Sequence, residues 1–238
     1  MGVDVSEAAW LLSLRRELVE LTREAAATMW PVPQGCLRPY FNYRVEHVKQ
    51  VERNALRLLR DVGADAEVVL AAVWIHDRFQ PLFRGELHGA RAAEWATSGL
   101  VRHGFPAGKV AAVCSAVARH SEPAGTLANA SVEARLLWDA DKLSHRGAVG
   151  ALALVLNNLA ADHSARRERE GRDPSEGVLA AVARRLMELL GSEGEPIRFY
   201  FPVSEELAAA ERRTERALLE GLLKELDCGV SSPPGGTV

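Results

Sequence analysis

Residues 68–77, VVLAAVWIHD, form an apolar helical run that closes on two adjacent side chains able to ligate a metal, His76 and Asp77. A neighbouring His and Asp is a common accident in any chain. Here the pair sits between His47, in YRVEHVKQV (43–51), and Asp141, in RLLWDADKL (135–143). The order His, His-Asp, Asp on alanine- and leucine-rich segments is one that metal chemistry can use. It makes a metal-dependent hydrolase the leading reading of the chain.

Outward from that run the sequence reads as helices, because alanine, leucine, arginine and glutamate dominate it. Asp65 has the position of an N-cap for the central helix. Upstream, the pattern predicts helices over about 5–29 and 43–62, the second closed by Gly63 as its C′ residue. The loop between them, WPVPQGCLRPYFN (30–42), holds three prolines. Downstream, RFQPLFRGE (78–86) breaks the pattern. Helices are then expected over about 87–103, with Gly104 after it, from Phe105-Pro106 to near His120, and over 131–142, 146–163, 176–190 and 204–227. SEGEPIRFYFPV (192–203) is the one strand-like stretch, centred near 196–203, and its aromatic residues are expected on the core. The charge run 166–173 reads as a solvated connection. The expected fold is all-α, a bundle of roughly nine helices forming a single domain over 1–227. Its motif-bearing core is about 43–163, flanked by helices 5–29 and 176–227, and 228–238 has the composition of a disordered tail.

Composition narrows the function. The 238 residues are 47% hydrophobic and 26% charged, the profile of a globular domain with a full core. A net charge of −3 gives no bulk basic signal for nucleic acid or anionic membrane. No apolar run reaches the roughly 18–20 residues of a membrane span. The first residues lack the pattern of a signal peptide. Gly2 and Ser6 loosely match a myristoylation site, without a second anchoring signal. Cys36, Cys114 and Cys228 form neither a C-x-x-C pair nor a disulfide framework, so a reducing, cytoplasmic compartment is expected.

Seven histidines occur, at 47, 76, 88, 103, 120, 145 and 163. The spacings between His47, His76-Asp77, His88, His120 and Asp141 each allow one helix to finish and another to return. Such side chains converge where bundle sites are built, on facing helices. Imidazole with carboxylate suits Mn, Fe, Co, Ni or Zn.

These residues carry a resemblance. His47, His76-Asp77 and Asp141 resemble the H…HD…D signature of the HD-domain superfamily of metal-dependent phosphohydrolases. RVEHVKQV is similar to the first-histidine helix of that family, AAVWIHD to its apolar helix ending in His-Asp, and LLWDADKL to its closing motif. The resemblance covers about residues 43–145. ELHGARAAEWA (86–96) and AVARHSEP (116–123) resemble segments that carry further histidines in many members. His88 and His120 therefore match positions that hold a second metal in dinuclear members or contact substrate phosphate in others. Arg78-Phe79 follows the His-Asp pair where many relatives have a small pair, so the 78–86 loop departs from the family.

The resemblance implies one or two divalent transition-metal ions held by His47, His76, Asp77 and Asp141, with Asp77 as the bridge if there are two. It implies hydrolysis of a phosphate ester or anhydride of a small molecule by metal-activated water, with a nucleotide as the leading substrate class. Lys142 and Arg44 are the candidates to neutralise phosphate charge, and Asp139 or Glu46 to orient a ligand histidine through its second nitrogen. Two other readings keep the site: a diiron HD-type oxygenase, and a non-catalytic nucleotide-binding module. Blander assignments cover the remaining residues. His103 reads as an exposed helix C-terminus, His163 as surface, and His145 as a local cap or surface group rather than pocket lining. Trp74 and Trp138 read as core. The apolar stripe of Leu207, Leu218, Leu222 and Leu226 offers a face for the domain itself or for a second copy in a homodimer.

Overall fold

The computed structural model describes residues 5–29, 34–36, 39, 41–80, 87–167 and 197–225. Among these, eight α-helices account for the regular structure, with short 3-10 turns at Val5–Glu7 and Ala107–Lys109 and no strand. They are α1 (Ala9–Met29), α2 (Tyr43–Leu58), α3 (Ala66–Ile75), α4 (Leu87–Arg102), α5 (Val110–Arg119), α6 (Val132–Ser144), α7 (Gly147–Arg167) and α8 (Pro202–Glu225).

Local chemistry sets the starts of three helices. The Asn42 side chain accepts from the Val45 amide at 3.3 Å, and Ser131 from the Ala134 amide at 3.2 Å. Asp65 accepts from Glu67 and Val68 at 3.0 and 3.3 Å, as its sequence position predicts. Each side chain satisfies an amide that the first turn leaves without a partner. Gly104 does follow α4 in the left-handed conformation at φ +83. Gly63 plays no such role. The second helix ends at Leu58, and turn residues separate it from the glycine.

Helix α3 is the centre. Every residue from Val68 to Ile75 is buried, and α1, α2, α4, α5 and α6 all pack against it. A helix surrounded in this way must be apolar all round, as this one is. Within the buried stretch the Trp74 indole donates to Glu52 on α2 at 2.8 Å, and Arg15 on α1 donates to the same carboxylate oxygen.

The described chain divides into two compact units. The first comprises residues 1–145 and 197–207 and contains α1 to α6 and the start of α8. In the second, residues 146–196 with 208–238, the Gly147 amide at the start of α7 donates to Glu215 at 3.3 Å. The helix expected over 176–190 and the tail at 228–238 lie outside the described residues.

The strand-like reading of 196–203 is corrected by the partners of its backbone. The amides of Tyr200 and Phe201 donate to the buried Asp139 carboxylate at 3.0–3.1 Å, and the helix begins at Pro202. A side chain thus takes the bonds that a neighbouring strand would have made. The aromatic residues do reach the core: Phe199 is buried, and Phe199 and Tyr200 both meet the edge or face of Trp138.

Candidate metal centre

Five elements deliver the site. His47 lies in the second turn of α2 and Asp141 in the last turn of α6. His76 and His120 are the C-cap residues of α3 and α5, Asp77 follows His76, and His88 opens α4. The carbonyl ends of α3, α5 and α6 all lie at this cluster, and the helix dipole there favours positive charge. His47, His76, Asp77, His88, His120 and Asp141 are all buried.

The Asp77 carboxylate divides the cluster. Its Oδ2 lies 3.3 Å from His47 Nε2 and 3.6 Å from His76 Nε2. Its Oδ1 lies 3.4 Å from His88 Nε2 and 3.6 Å from His120 Nε2. Asp141 Oδ1 joins the first pair, at 3.2 Å from His47 and 3.8 Å from His76. Two sets of donor atoms result, His47–His76–Asp77 and Asp77–His88–His120, each compact enough to hold an ion.

The tautomers follow from the outer hydrogen bonds. Nδ1 of His76 donates to the Val73 carbonyl, and Nδ1 of His120 to the Val117 carbonyl, both at 2.7 Å. Ser144 Oγ donates to the Asp141 carbonyl at 2.6 Å, so it must accept from His47 Nδ1 at 3.1 Å. Burial pushes His47 and His120 down to about 4 and His76 well below its ordinary value, which keeps all three neutral. Three Nε2 lone pairs therefore face inward. His47 and His76 meet nitrogen to nitrogen at 3.3 Å, His88 and His120 at 3.0 Å, with carboxylate oxygens beside them. Neutral imidazole with carboxylate is a donor set that suits a divalent transition metal.

Cations occupy the Asp141 side. Burial alone would raise the Asp141 carboxyl, but Lys142 and His47 outweigh it and hold the group well below the usual carboxylate range. Lys142 Nζ donates to Asp141 Oδ2 at 2.7 Å, and Arg44 donates to Asp77 Oδ2. Burial lowers the Arg44 guanidinium to about 10, which leaves it charged at neutral pH.

Two expected helpers are elsewhere. Glu46 points to the surface, where it pairs with Lys49 at 2.9 Å. Asp139 holds the Tyr200 and Phe201 amides rather than a histidine, and burial raises its carboxyl to about 6. The orienting work falls instead to Val73, Val117 and Ser144. Main-chain carbonyls leave no trace in side-chain identity, so only Ser144, three residues after Asp141, was open to sequence reasoning.

His145 caps α6 through its backbone, yet its ring lies against His47, with centroids 5.1 Å apart and planes at 9°. His103 is also more than a helix end. It bridges Ser13 at 2.7 Å and Glu17 at 2.8 Å, and Glu17 accepts both terminal nitrogens of Arg78 at 3.1 and 3.3 Å. The Arg78 guanidinium lies 3.6 Å from the centroid of Trp95. The residue after Asp77 is thus clamped between α1 and α4. The departure from the family pattern at 78 was the only hint of it in the sequence.

Comparisons with known proteins agree with this fold. The model of the HD domain family matches residues 44–146. A crystal structure from an uncultured Thermotogales bacterium, described as a predicted HD superfamily hydrolase, shares 22% identity, with 88% of this chain and 91% of that one covered at a TM-score of 0.53. A protein from Lactobacillus plantarum shares 17% identity, with 96% and 100% covered, at the same TM-score of 0.53. No curated protein matches the chain. Residues 44–146 of this chain match the HD domain family, and the helical architecture and the His/Asp cluster agree with that match.

Proposed function

We propose that the chain is a metal-dependent phosphohydrolase that cleaves a phosphate ester or anhydride of a small molecule, with a nucleotide as the leading substrate class. The observation that carries this reading is the Asp77 carboxylate, whose two oxygens each face a different pair of imidazoles. His47, His76, Asp77 and Asp141 would hold one ion, and Asp77, His88 and His120 a second. A bound divalent ion supplies a water that ionises near neutral pH and positive charge for phosphoryl oxygens.

The chain's own groups do the rest. The Val73 and Val117 carbonyls and Ser144 fix the tautomers and turn the Nε2 atoms inward, while burial keeps these imidazoles neutral. Lys142 and Arg44, both on the Asp141 side, bring fixed cations to the edge of the cluster, where an anionic group of a substrate would lie. The same two cations make a neutral substrate a poor match.

The test is phosphate release from nucleoside mono- and polyphosphates by protein stripped of metal and reloaded with Mn, Co, Ni or Fe. Metal-dependent release is expected. Lys142→Ala should lower kcat/KM by roughly tenfold to a hundredfold, the worth of a charge-assisted hydrogen bond. Bound iron with oxygen uptake and no phosphate release would replace this reading with the diiron oxygenase, which the two-set arrangement also accommodates. Nucleotide binding without turnover by any metal would leave a binding module.

A further inference from the structure

The two ends of the cluster are unequal. At the Asp77 Oδ1 end, His88 and His120 join Asp77 to give three donors, and no other His, Cys, Asp or Glu among the described residues belongs to that set. At the other end, His47, His76, Asp77 and Asp141 are already four. A third set overlaps that end: donor atoms of His47, Asp141 and His145 all lie within 4.8 Å of one another.

We propose that His145 is a fifth protein ligand of the ion at the Asp141 end. The proposal rests on the metal-centre reading above and adds a residue to it. His47 has one inward lone pair, because its Nδ1 is committed to Ser144, so the third set cannot be an independent site that shares His47 with the first. Lys142 already holds Asp141 Oδ2, which argues against a further cation on that oxygen. What remains is one ion to which His145 adds its imidazole.

The geometry permits this. Nitrogen ligands sit about 2.1 Å from a zinc-like ion, so opposed donors span roughly 4.2 Å, and the donor atoms of His47, Asp141 and His145 all lie within 4.8 Å of one another. His145 is only partly buried, whereas His47 and Asp141 are buried. It lies four residues beyond Asp141, on the same side of α6. Its ring is already parallel to that of His47.

A five-against-three distribution has a consequence. The ion at the Asp141 end binds first and is held tightly. The ion at the His88/His120 end is the weaker one and keeps more positions for water and substrate.

Zinc titration of the stripped full-length protein against a competing chelator tests this, with X-ray absorption at one equivalent of zinc. Wild type should take the first zinc with three imidazoles in its shell. His145→Ala should bind that zinc about tenfold to a hundredfold more weakly and show two imidazoles. His145→Gln, which keeps a polar side chain without an imidazole, should behave like the alanine variant. His88→Ala should leave the first zinc unchanged. An unchanged first affinity and an unchanged imidazole count in both His145 variants would overturn the proposal while the metal centre stands. Wild type that binds no zinc would overturn the centre and this proposal together.

Discussion

Each oxygen of Asp77 faces its own pair of imidazoles, so no other single substitution reaches both donor sets at once. Asp77→Ala should abolish turnover and strip the bound metal, read by elemental analysis and phosphate release. Retained activity with retained metal would remove the whole site assignment. The sequence made this residue visible because His47, His76-Asp77 and Asp141 each sit in a recognisable local context, and the combination is far more specific than any piece. Asp139 and Glu46 were misplaced for the opposite reason. An acidic residue near a ligand can turn to any donor within reach, and its choice depends on tertiary neighbours. Asp139 found amides 61 and 62 residues away. His145 caps α6 as its position suggests, and its ring contact with His47 joins distant positions that share no pattern along the chain.

At the scale of elements, the approach of α4 to α5 shapes the second donor set. A Cβ on Gly89 would lie 3.0 Å from the Val117 carbonyl oxygen and 3.1 Å from His120 Cε1. Those are the two partners of the bond that orients His120. Gly89→Ala should therefore weaken the ion at the His88/His120 end, at about 1–3 kcal/mol of overpacking, while the other ion stays in place. Metal content and a thermal melt measure both effects. The start of α8 depends on α6 through Asp139. Asp139→Ala leaves two amides without their charged partner and should cost about 1.5–3 kcal/mol in a denaturant titration. Helix existence was legible from composition and caps, and the Asp65 cap was placed correctly. The end of α2 and the 196–203 stretch were not, since Leu58 and the Tyr200 amide answer to packing and to a distant carboxylate rather than to local propensity.

Over the whole molecule, His47, His76 and His120 are buried neutral bases held inside an apolar bundle. Burial depresses His47 and His120 to about 4 from an ordinary 6.5. A depressed group contributes stability above its unfolded value, and that contribution disappears as pH falls through the folded one. Metal-free protein should therefore lose thermal stability as pH falls from about 6.5 to 4. A melting temperature that stays flat across that window would contradict the buried, neutral state of these imidazoles. The all-α fold was legible at this scale because helix-forming composition runs through the chain. The clamp from α1 through Glu17 and His103 to Arg78 was not, since it joins residues 61 and more positions apart that carry no shared pattern.

The proposed site is a carboxylate-bridged pair of metal positions. It is tested most directly by the metal content per chain of protein purified without oxygen, for wild type and for His88→Ala. The prediction is about two ions in wild type and about one in the variant, because His88 serves only the second set. No metal in wild type, or the same content in both proteins, would contradict it.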